Sequence, residues 1–372
     1  MDQPTIERIE LRVLDPARDV RWTERAHQCH ISTTVITIVD SEGAQGVAGV
    51  DGFAFARGDR TTLESVAGLW PALVGRPIDC ASDLMDEVRT GVVFPYVTNG
   101  LSLVDMALWD LRAQHAGVPL WQLLGGHREK VLAYASLESM PRVEDYVDVV
   151  GRSISEGFTA VKLHAFGDPD RDIQLYARLR ETYPALALMH DAECVYSRED
   201  AIRVGVALAE MGCPWYEAPL PELDLQAYRE LRRQVEVPIL PAGYALGDLH
   251  QVADALLDPP WTVCRSEIAS TQGLTGLLRL MDLAESAGMN LEPVTYGSAF
   301  YAMAGLHVLL GRANATYLEL AYPMAEWEYA VTNPVRPDAE GYVSAPDIPG
   351  LGLALDAHAL DALTTSSTVL AG

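Results

Sequence analysis

Residues 160–191 read AVKLHAFGDPDRDIQLYARLRETYPALALMHD, and they hold one complete strand–helix–strand unit. A short apolar and β-branched run, AVKLH, is followed by a loop, an amphipathic helical pattern and a second apolar run, LALMHD. Strands joined through a helix in this way lie parallel, because the helix carries the chain back to the end of the sheet at which the first strand began. The stretch therefore predicts an α/β unit built on a parallel sheet.

The same unit recurs from about residue 130 at intervals of roughly 25 residues, the spacing of strands in a (β/α) barrel. Its strand candidates are residues 131–136, 160–164, 186–191, 215–217, 238–241, 261–267, 290–294 and 315–320. One intervening helix pattern opens with a Ser-x-x-Asp capping signal at Ser197 and closes at Gly212. Eight such strands predict a barrel, and a doubly wound sheet is disfavoured because no Gly-rich phosphate loop follows an early strand.

The first hundred residues have a different pattern. Residues 6–14 and 31–50 alternate at period two around an Asp-Ser-Glu-Gly turn, which predicts antiparallel strands. Helical segments follow and end in LSLVDMALWDLRAQHAG. We therefore expect an α+β N-terminal domain over residues 1–126 and a modified (β/α) TIM-type barrel over residues 127–332. A segment over residues 333–372, rich in Pro, Gly and Asp, is expected to return to the N-terminal domain.

The composition limits the classes of partner. The formal charge is −25, from 27 basic and 52 acidic residues. A field of that sign repels nucleic acid and anionic membranes, so neither is expected as a partner, and an anionic substrate needs a local positive charge. The sequence shows no membrane-spanning apolar run, no signal-peptide pattern and no CxxC among its five cysteines. We expect a cytoplasmic protein without a disulfide framework or structural zinc.

Polar side chains stand at the carboxyl ends of successive predicted strands, where the catalytic groups of such barrels lie. Lys162 and His164 are two apart on one strand, so their side chains point the same way. Asp191 and Glu217 end the next two strands, and two such acids can converge on a hard cation such as Mg²⁺. The later strand ends carry Tyr244, Glu267 and Glu319. One polar group on each of these strands predicts a single site.

The segment MALWDLRAQHAGVPLWQLLGG, the two-domain layout and the order Lys-x-His, Asp, Glu resemble the enolase superfamily, and in particular its mandelate racemase and muconate lactonizing group. The resemblance implies an N-terminal capping domain whose loops choose the substrate. It also implies a modified barrel that holds Mg²⁺ on three carboxylates and removes a proton α to a substrate carboxylate. The metal and a lysine would stabilise the resulting enediolate.

The metal ligands of the family are matched only in part. Asp191 and Glu217 fit the first two carboxylates, but Tyr244 stands where the third should follow the glycine of the fifth strand. Exchange of an anionic ligand for a neutral phenol predicts that Mg²⁺ binding is weak or absent, and that Tyr244→Glu restores it. Glu193 and Glu292 are alternative ligands, although a solvated loop or rim charge is the expected role of each.

The acid–base groups of the family are also altered. Lys162 fits the first lysine of the Lys-x-Lys pair, but His164 stands at the second. His164 suits proton abstraction if its pKa is near the ordinary 6.5, and a rim histidine held by hydrogen bonds is the alternative. Glu267 stands where an aspartate usually supports a histidine base on the next strand, and no histidine follows. Glu319 matches a glutamate that often contacts the substrate carboxylate.

Two further side chains have open roles. Tyr244 fits a general acid, a hydrogen-bond donor to substrate, or a phenol that fills space with its hydroxyl tied to Asp191 or Glu217. As a base it would need a pKa several units below its usual range. Arg265 either pairs with a neighbouring acid or partly replaces the charge of the metal. We assign Arg265 and Glu319 to substrate binding.

These residues favour a lyase or isomerase that removes the α-proton of a small hydroxy acid or sugar acid, with Lys162 or His164 as the base. Dehydration or cycloisomerisation fits this one-sided site better than racemisation, which needs a base on each face. A metal-independent relative with a specialised substrate and a non-catalytic ligand-binding relative are the alternatives. The resemblance makes a homo-oligomer expected, and residues 14–30 and 49–60 are the candidate specificity loops.

Overall fold

The computed structural model describes residues 3–24, 28–54, 58–90 and 98–372. Its N-terminal strands are β1 (Ile6–Leu14), β2 (Asp19–Val20), β3 (Cys29–Asp40) and β4 (Gln45–Ala54), and β14 (Thr364–Ala371) from the end of the chain joins them. The sheet order is β14–β1–β3–β2, with β4 also paired to β3, and these pairs are antiparallel. Buried and more exposed positions alternate along much of β1, as a strand with one packed face requires.

The hairpin between β3 and β4 turns where the sequence predicts it. Asp40 Oδ1 accepts the backbone N–H groups of Glu42 and Ala44, both at 2.9 Å. Gly43 has a φ of +83°, a left-handed value that glycine adopts without strain. The predicted Asp-Ser-Glu-Gly turn is therefore confirmed. The candidate specificity loops lie partly outside the described residues, because positions 25–27 and 55–57 are not among them.

Helices connect the N-terminal sheet to the second domain. They are α1 (Gly58–Leu73), α2 (Ala81–Thr90), α3 (Thr98–Ala116) and α4 (Leu120–Leu123). Two side chains of α3 bond across to the second domain: Ser102 Oγ donates to the carbonyl of Ala269 at 2.7 Å, and Asp105 accepts from the hydroxyl of Thr275 at 2.5 Å. These contacts attach α3 to the second domain.

The second domain alternates strands and helices. The strands are β5 (Lys130–Leu137), β6 (Ala160–His164), β7 (Ala187–Asp191), β8 (Tyr216–Glu217), β9 (Ile239–Leu240), β10 (Cys264–Glu267), β11 (Leu291–Val294) and β12 (Tyr317–Tyr322). The helices are α5 (Val143–Ser155), α6 (Pro169–Thr182), α7 (Arg198–Glu210), α8 (Leu225–Arg232), α9 (Leu249–Ala255), α10 (Leu274–Ser286) and α11 (Ala299–Gly311), and a 3₁₀ turn follows at Met324–Glu326. Each of the eight predicted strand runs overlaps an observed strand.

The eight strands form the sheet of an α/β barrel domain. They pair in parallel in the order β12–β5–β6–β7–β8–β9, and β10 pairs in parallel with β11. Backbone hydrogen bonds also join these two groups of strands, between β9 and β10 and between β11 and β12. Glu267 N donates to Gly243 O at 2.9 Å between the fifth and sixth units, and Leu291 N donates to Asn314 O at 2.8 Å between the last two. The carboxyl ends of the strands therefore face one common region.

Local signals in the sequence explain where the helices start and stop. Ser197 Oγ accepts the N–H of Asp200 at 3.1 Å and caps α7, and Gly212, with a φ of +69°, follows its end. Asp168 caps α6 in the same way, with Pro169 in the first turn. The predicted cap and stop of α7 are confirmed.

The C-terminal part of the chain contacts both domains. β13 (Tyr342–Ser344) pairs antiparallel with β5, and α12 (Ala357–Leu363) leads into β14 on the edge of the N-terminal sheet. A search of the described residues found no helix that is both long and apolar enough to cross a membrane.

Candidate active site

The register of three neighbouring strands places the first site residues side by side. His164 pairs with Asp191, and Asp191 pairs with Glu217, at the carboxyl ends of β6, β7 and β8. Paired residues of parallel strands point to the same face, and Lys162 lies two positions earlier on that face. All four side chains therefore converge, as the sequence predicts for a site at the strand ends.

Lys162 lies at the centre of an acidic cluster. Its Nζ atom is 3.0 Å from Asp191 Oδ2, 3.2 Å from both oxygens of Glu217 and 2.8 Å from Glu319 Oε1. The side chain is only 2% exposed. Burial disfavours the ammonium, but attraction to Glu217 and Glu319 outweighs it and raises the pKa of Lys162 well above its usual range. A lysine that acts as a base needs a lowered pKa, so these contacts argue against Lys162 as the base.

Arg265 completes this network from β10. Its Nε atom is 2.7 Å from Glu217 Oε1, and its Nη2 atom is 2.6 Å from Glu319 Oε2. Burial alone would raise the pKa of Glu319, but Lys162 and Arg265 lower it to about 2. Of the two roles considered for Arg265, pairing with acids is the one that its contacts show. Glu217 and Glu319 also form ion pairs with Lys162, so each of these two carboxylates lies between two cations.

His164 is held at both ring nitrogens. Nδ1 lies 2.5 Å from the carbonyl oxygen of Leu137, and Nε2 lies 3.1 Å from Asp191 Oδ2 and 3.2 Å from Glu193 Oε1. Burial disfavours the imidazolium, but attraction and hydrogen bonding to these carboxylates raise the pKa of His164 to about 10. The ordinary pKa near 6.5 expected from the sequence is therefore wrong, because both acids face one nitrogen.

Glu193 reaches the site through an unusual backbone turn. Glu193 and Cys194 have φ values of +51° and +59°, in the left-handed region that residues with a Cβ seldom adopt. The N–H of Glu193 donates to Asp191 Oδ1 at 2.9 Å, which closes the turn after β7. The expectation of a solvated loop charge is therefore wrong for Glu193. Its carboxylate contacts His164 instead.

Glu292 lies apart from these groups. Its carboxylate accepts the N–H and hydroxyl of Thr316 and the N–H of Tyr317, at 2.7–3.3 Å. The residue is 3% exposed, so it is neither a solvated rim charge nor a free ligand. Its role is to bind the backbone at the start of β12.

Tyr244 projects between two cavities. It is 50% exposed, and its ring lines both of them. Within the described part of the chain, no hydrogen bond joins its hydroxyl to Asp191 or Glu217, so the space-filling role with a tied hydroxyl is not observed. Partial removal of the phenol from bulk water and the charges of Glu267 and Glu319 raise the pKa of Tyr244 well above its usual range. The phenol therefore keeps its proton and can donate it, whereas a base at this position would need a lowered pKa.

The loop that carries Tyr244 is anchored by Glu222. The carboxylate of Glu222 accepts the backbone N–H groups of Gly243, Tyr244 and Ala245 at 3.0–3.1 Å. Both of its oxygens are used in this way. Glu222 therefore lines the site but fixes the loop, a role that the sequence did not indicate.

Glu267 and Asp51 bring acids from the two domains together. Removal from bulk water and the charge of Asp51 raise the pKa of Glu267 to about 7, although a hydrogen bond from Tyr301 opposes this rise. Asp51, on β4, accepts from the hydroxyl of Thr33 at 2.5 Å and from the N–H of Ser298 at 2.6 Å. The sequence analysis missed Asp51. It lies within a predicted specificity loop, but no local pattern showed that it would face Glu267.

Two adjoining cavities open onto these groups. The inner one, of about 220 Å³, is lined by Lys162 and His164, and the outer one is about 370 Å³. Both are lined by Trp22, Glu193 and Tyr244. The inner cavity also contacts Asp191, Glu217, Glu222 and Glu319, and the outer one contacts Cys29, Asp51, Asn99 and Glu267. The outer cavity thus joins residues of both domains.

Comparison with known proteins identifies relatives for the whole architecture. Residues 8–125 match the family model of the mandelate racemase/muconate lactonizing enzyme N-terminal domain, and residues 145–359 match the enolase C-terminal domain-like model. The chain is 29% identical to the 3,6-anhydro-α-L-galactonate cycloisomerase of Streptomyces coelicolor, over 96% of this chain and 99% of the relative. It is 28% identical to the D-galactarolactone cycloisomerase of Agrobacterium fabrum, over 70% and 72%.

Solved structures give the same result. A protein from Pseudovibrio sp., described within the same family, superposes with a TM-score of 0.95 at 28% identity and full coverage of both chains. A racemase from Streptomyces coelicolor, solved with bound magnesium, superposes with a TM-score of 0.84 at 26% identity, over 97% of this chain and 100% of that one.

The residues of this chain do not fit the three-carboxylate Mg²⁺ site of that family. The third position is the phenol of Tyr244, and the second, Glu217, has its carboxylate bonded to both Lys162 and Arg265. Glu222, which also lines the inner cavity, has both of its oxygens bonded to backbone N–H groups. An ion between Asp191 and Glu217 would have to displace the buried cations Lys162 and Arg265.

Proposed function

Because the chain belongs to the mandelate racemase/muconate lactonizing enzyme family of the enolase superfamily, we propose that it is a lyase or isomerase that removes the proton α to the carboxylate of a small hydroxy acid or sugar acid. The observation that carries this proposal is the buried Lys162 ammonium on the wall of the inner cavity. The proteins similar to it include two sugar-acid cycloisomerases and an L-talarate/galactarate dehydratase, which support that substrate class.

Lys162 and His164 supply the positive charge that an anionic substrate needs in so acidic a protein. Both side chains line the inner cavity, beside five carboxylates. We assign the substrate carboxylate to this cavity and the hydroxylated remainder to the outer one, past Tyr244. The Lys162 ammonium then stabilises the negative charge that develops on the carboxylate oxygens when the α-proton leaves.

Glu267 is the proton acceptor that the geometry favours. The family resemblance places an aspartate here behind a histidine, but this chain has no histidine at the end of β11, and Glu267 lines the outer cavity itself. Glutamate is longer than aspartate by one methylene, so the carboxylate of Glu267 extends further from β10 than that of the family's aspartate. Its pKa of about 7 suits proton transfer near neutral pH. This assignment replaces Lys162 or His164 as the base.

Tyr244 is placed to donate a proton to the leaving oxygen. Its phenol stands where the two cavities meet and keeps its proton at neutral pH. In a dehydration, the α C–H bond breaks toward Glu267, the β C–O bond breaks, and the hydroxyl leaves as water after protonation. In a lactone cycloisomerisation, the ring C–O bond breaks instead and its oxygen takes the proton. Both reactions need chemistry on a single face.

Racemisation is disfavoured by the same arrangement. It needs a second group able to take and return a proton on the opposite face of the α-carbon. The seventh strand, where the family resemblance expects a histidine, ends in Val294 and is followed by Thr295 and Tyr296. The overall charge and the family membership further support a cytoplasmic homo-oligomer that acts on small molecules, not on nucleic acid or membranes.

The ion pair between Glu217 and Arg265 leads to a first prediction, about Mg²⁺ binding. Tyr244→Glu alone is expected to change Mg²⁺ affinity by less than about threefold, because Glu217 remains ion-paired with Arg265. Tyr244→Glu combined with Arg265→Gln is expected to raise it about tenfold or more. Calorimetric titration of chelator-treated protein measures both. Tight Mg²⁺ binding by the natural protein, or a full gain in the single variant, would contradict the pairing of Glu217 described above.

The ionisation of Glu267 leads to a second prediction. A base must be unprotonated, so kcat/KM is expected to fall as the pH drops through about 7. The groups that face Glu267 are Asp51, Tyr301, Tyr244 and Glu222, and of these Asp51 contributes most to the raised pKa. Asp51→Asn removes that charge and is expected to move the acidic limb to lower pH, with Glu199→Gln, an exposed acid in the first turn of α7, as a control for the loss of one carboxylate. An unmoved limb in Asp51→Asn would count against Glu267 as the base.

A panel of aldonic acids, aldaric acids and their lactones tests the proposed function as a whole. We expect at least one compound to give a keto-deoxy acid or an opened lactone, detected as new carbonyl or carboxylate signals by NMR. Thermal stabilisation by a panel member without turnover would instead identify a ligand-binding relative without catalytic activity.

A further inference from the structure

We propose that this protein has a metal centre at His164, Asp191 and Glu193, which takes a divalent transition-metal ion such as Mn²⁺ in preference to Mg²⁺. The position differs from the three carboxylates of the family, because it uses one of them and adds a histidine and an acid from the turn after β7. The inference stands on the geometry of these side chains, whichever reaction the enzyme catalyses.

The ligand atoms already have the spacing of a coordination sphere. His164 Nε2 lies 3.1 Å from Asp191 Oδ2 and 3.2 Å from Glu193 Oε1. Two ligand atoms about 2.1 Å from a metal and at right angles to each other are about 3.0 Å apart. One ligand atom from each of the three side chains lies within 4.8 Å of the others. A metal ion can therefore enter with small side-chain shifts.

The imidazole is oriented as a metal ligand requires. Nδ1 lies 2.5 Å from the carbonyl oxygen of Leu137, and since a carbonyl only accepts, Nδ1 carries the proton. Metal-binding histidines almost always donate their second N–H in this way, which directs the lone pair of the other nitrogen at the ion. When the ion binds, it replaces the proton of Nε2 that bonds to the two carboxylates.

The backbone after β7 supports the same role for Glu193. Two consecutive residues with side chains, Glu193 and Cys194, adopt left-handed φ values without a glycine. The turn makes Asp191 Oδ1 accept the N–H of Glu193, which leaves Asp191 Oδ2 beside His164. Strained backbone of this kind is kept where it serves a site. Here it brings the second carboxylate to the imidazole.

The ligand set selects the class of ion. One imidazole nitrogen and two carboxylate oxygens suit first-row transition metals, whereas Mg²⁺ prefers oxygen ligands alone. Glu217 faces two buried cations, with Lys162 near both of its oxygens and Arg265 near one, whereas of these two cations Asp191 Oδ2 contacts Lys162 alone. Three protein ligands leave coordination positions open, and all three residues line the inner cavity. A substrate carboxylate or hydroxyl could occupy those positions.

The test begins with the chelator-treated full-length protein and MnCl₂. Loss of the free Mn²⁺ signal in electron paramagnetic resonance is expected to show one ion per chain, bound about tenfold or more tightly than Mg²⁺. Absence of saturable Mn²⁺ binding, or equal affinity for Mg²⁺, would overturn the proposal. The readout is binding, so the result is separate from the success or failure of the proposed reaction.

Three matched variants locate the ion. Glu193→Gln is expected to weaken Mn²⁺ binding about tenfold or more, and Glu217→Gln is expected to weaken it less. Glu199→Gln, an exposed acid in the first turn of α7, controls for the loss of one negative charge and is expected to bind as the natural protein does. Strong loss in Glu217→Gln with no loss in Glu193→Gln would place the ion at the family position and overturn the assignment.

A measurement on the natural protein removes any dependence on how the variants fold. Bound Mn²⁺ is expected to show the electron spin echo modulation of an imidazole nitrogen, because His164 is a ligand. A site made of carboxylates and water has no such nitrogen. Lack of imidazole modulation at one equivalent of Mn²⁺ would overturn the proposed centre.

Discussion

Lys162→Met is expected to lower kcat about 10³-fold, because it removes the ammonium that stabilises the developing enediolate charge. The same change leaves Asp191, Glu217 and Glu319 without the cation that contacts all three. Loss of one partner from a buried ion pair costs about 3–5 kcal/mol of unfolding free energy, so a lower Tm is expected as well. Activity is measured on panel substrates, and stability by denaturant unfolding.

The second lysine of the chain provides the matched control. Lys130 lies at the surface, with its Nζ atom 3.9 Å from Glu340 and both side chains more than half exposed. Lys130→Met is expected to keep kcat within about twofold and to change stability by less than about 1 kcal/mol. If Lys162→Met retained its activity within tenfold, the ammonium would not be part of the reaction.

Glu267→Gln is expected to lower kcat about 10²- to 10⁴-fold while the fold is kept. Glutamine has the same shape and still accepts the hydrogen bond from Tyr301, but it cannot take a proton at neutral pH. The acidic limb of the pH profile near 7 is expected to disappear in the residual activity. Kinetics of the purified variant across pH 5 to 9 measure both effects.

Glu199→Gln serves again as the control. It removes an exposed carboxylate on α7, a segment that is distant in sequence from β10. Its kcat and pH profile are expected to match those of the natural protein. An unchanged acidic limb in Glu267→Gln would mean that another group is the proton acceptor, and His164 and Lys162 would then return as candidates.

The fold was largely predictable because the strand–helix–strand unit at residues 160–191 repeats along the chain, with clear signals where its strands and helices begin and end. Apolar runs mark the strands, and signals such as the Ser197 cap and Gly212 mark the helix ends. The strand ends could also be read, since parallel strands present their last residues to a single rim. Lys162 and Asp191 were found in this way, and the register of the sheet brings them together.

The remaining features depend on contacts between distant segments. The pKa of His164 is set by two carboxylates, one of which, Glu193, arrives through a left-handed turn that no local residue pattern signals. Arg265 could be assigned to the barrel interior, but its two partners come from β8 and β12. Asp51 meets Glu267 only after the two domains assemble.

Solvent deuterium exchange tests the central claim most directly, because it reports removal of the α-proton without requiring turnover to product. The natural protein and Glu267→Gln are incubated in D₂O with the panel of sugar acids and lactones, and the α-carbon or the carbon that takes its place in product is examined by NMR. We expect solvent deuterium in at least one compound with the natural protein, and its loss in Glu267→Gln. Binding of a panel member with no deuterium in substrate or product would contradict α-proton abstraction.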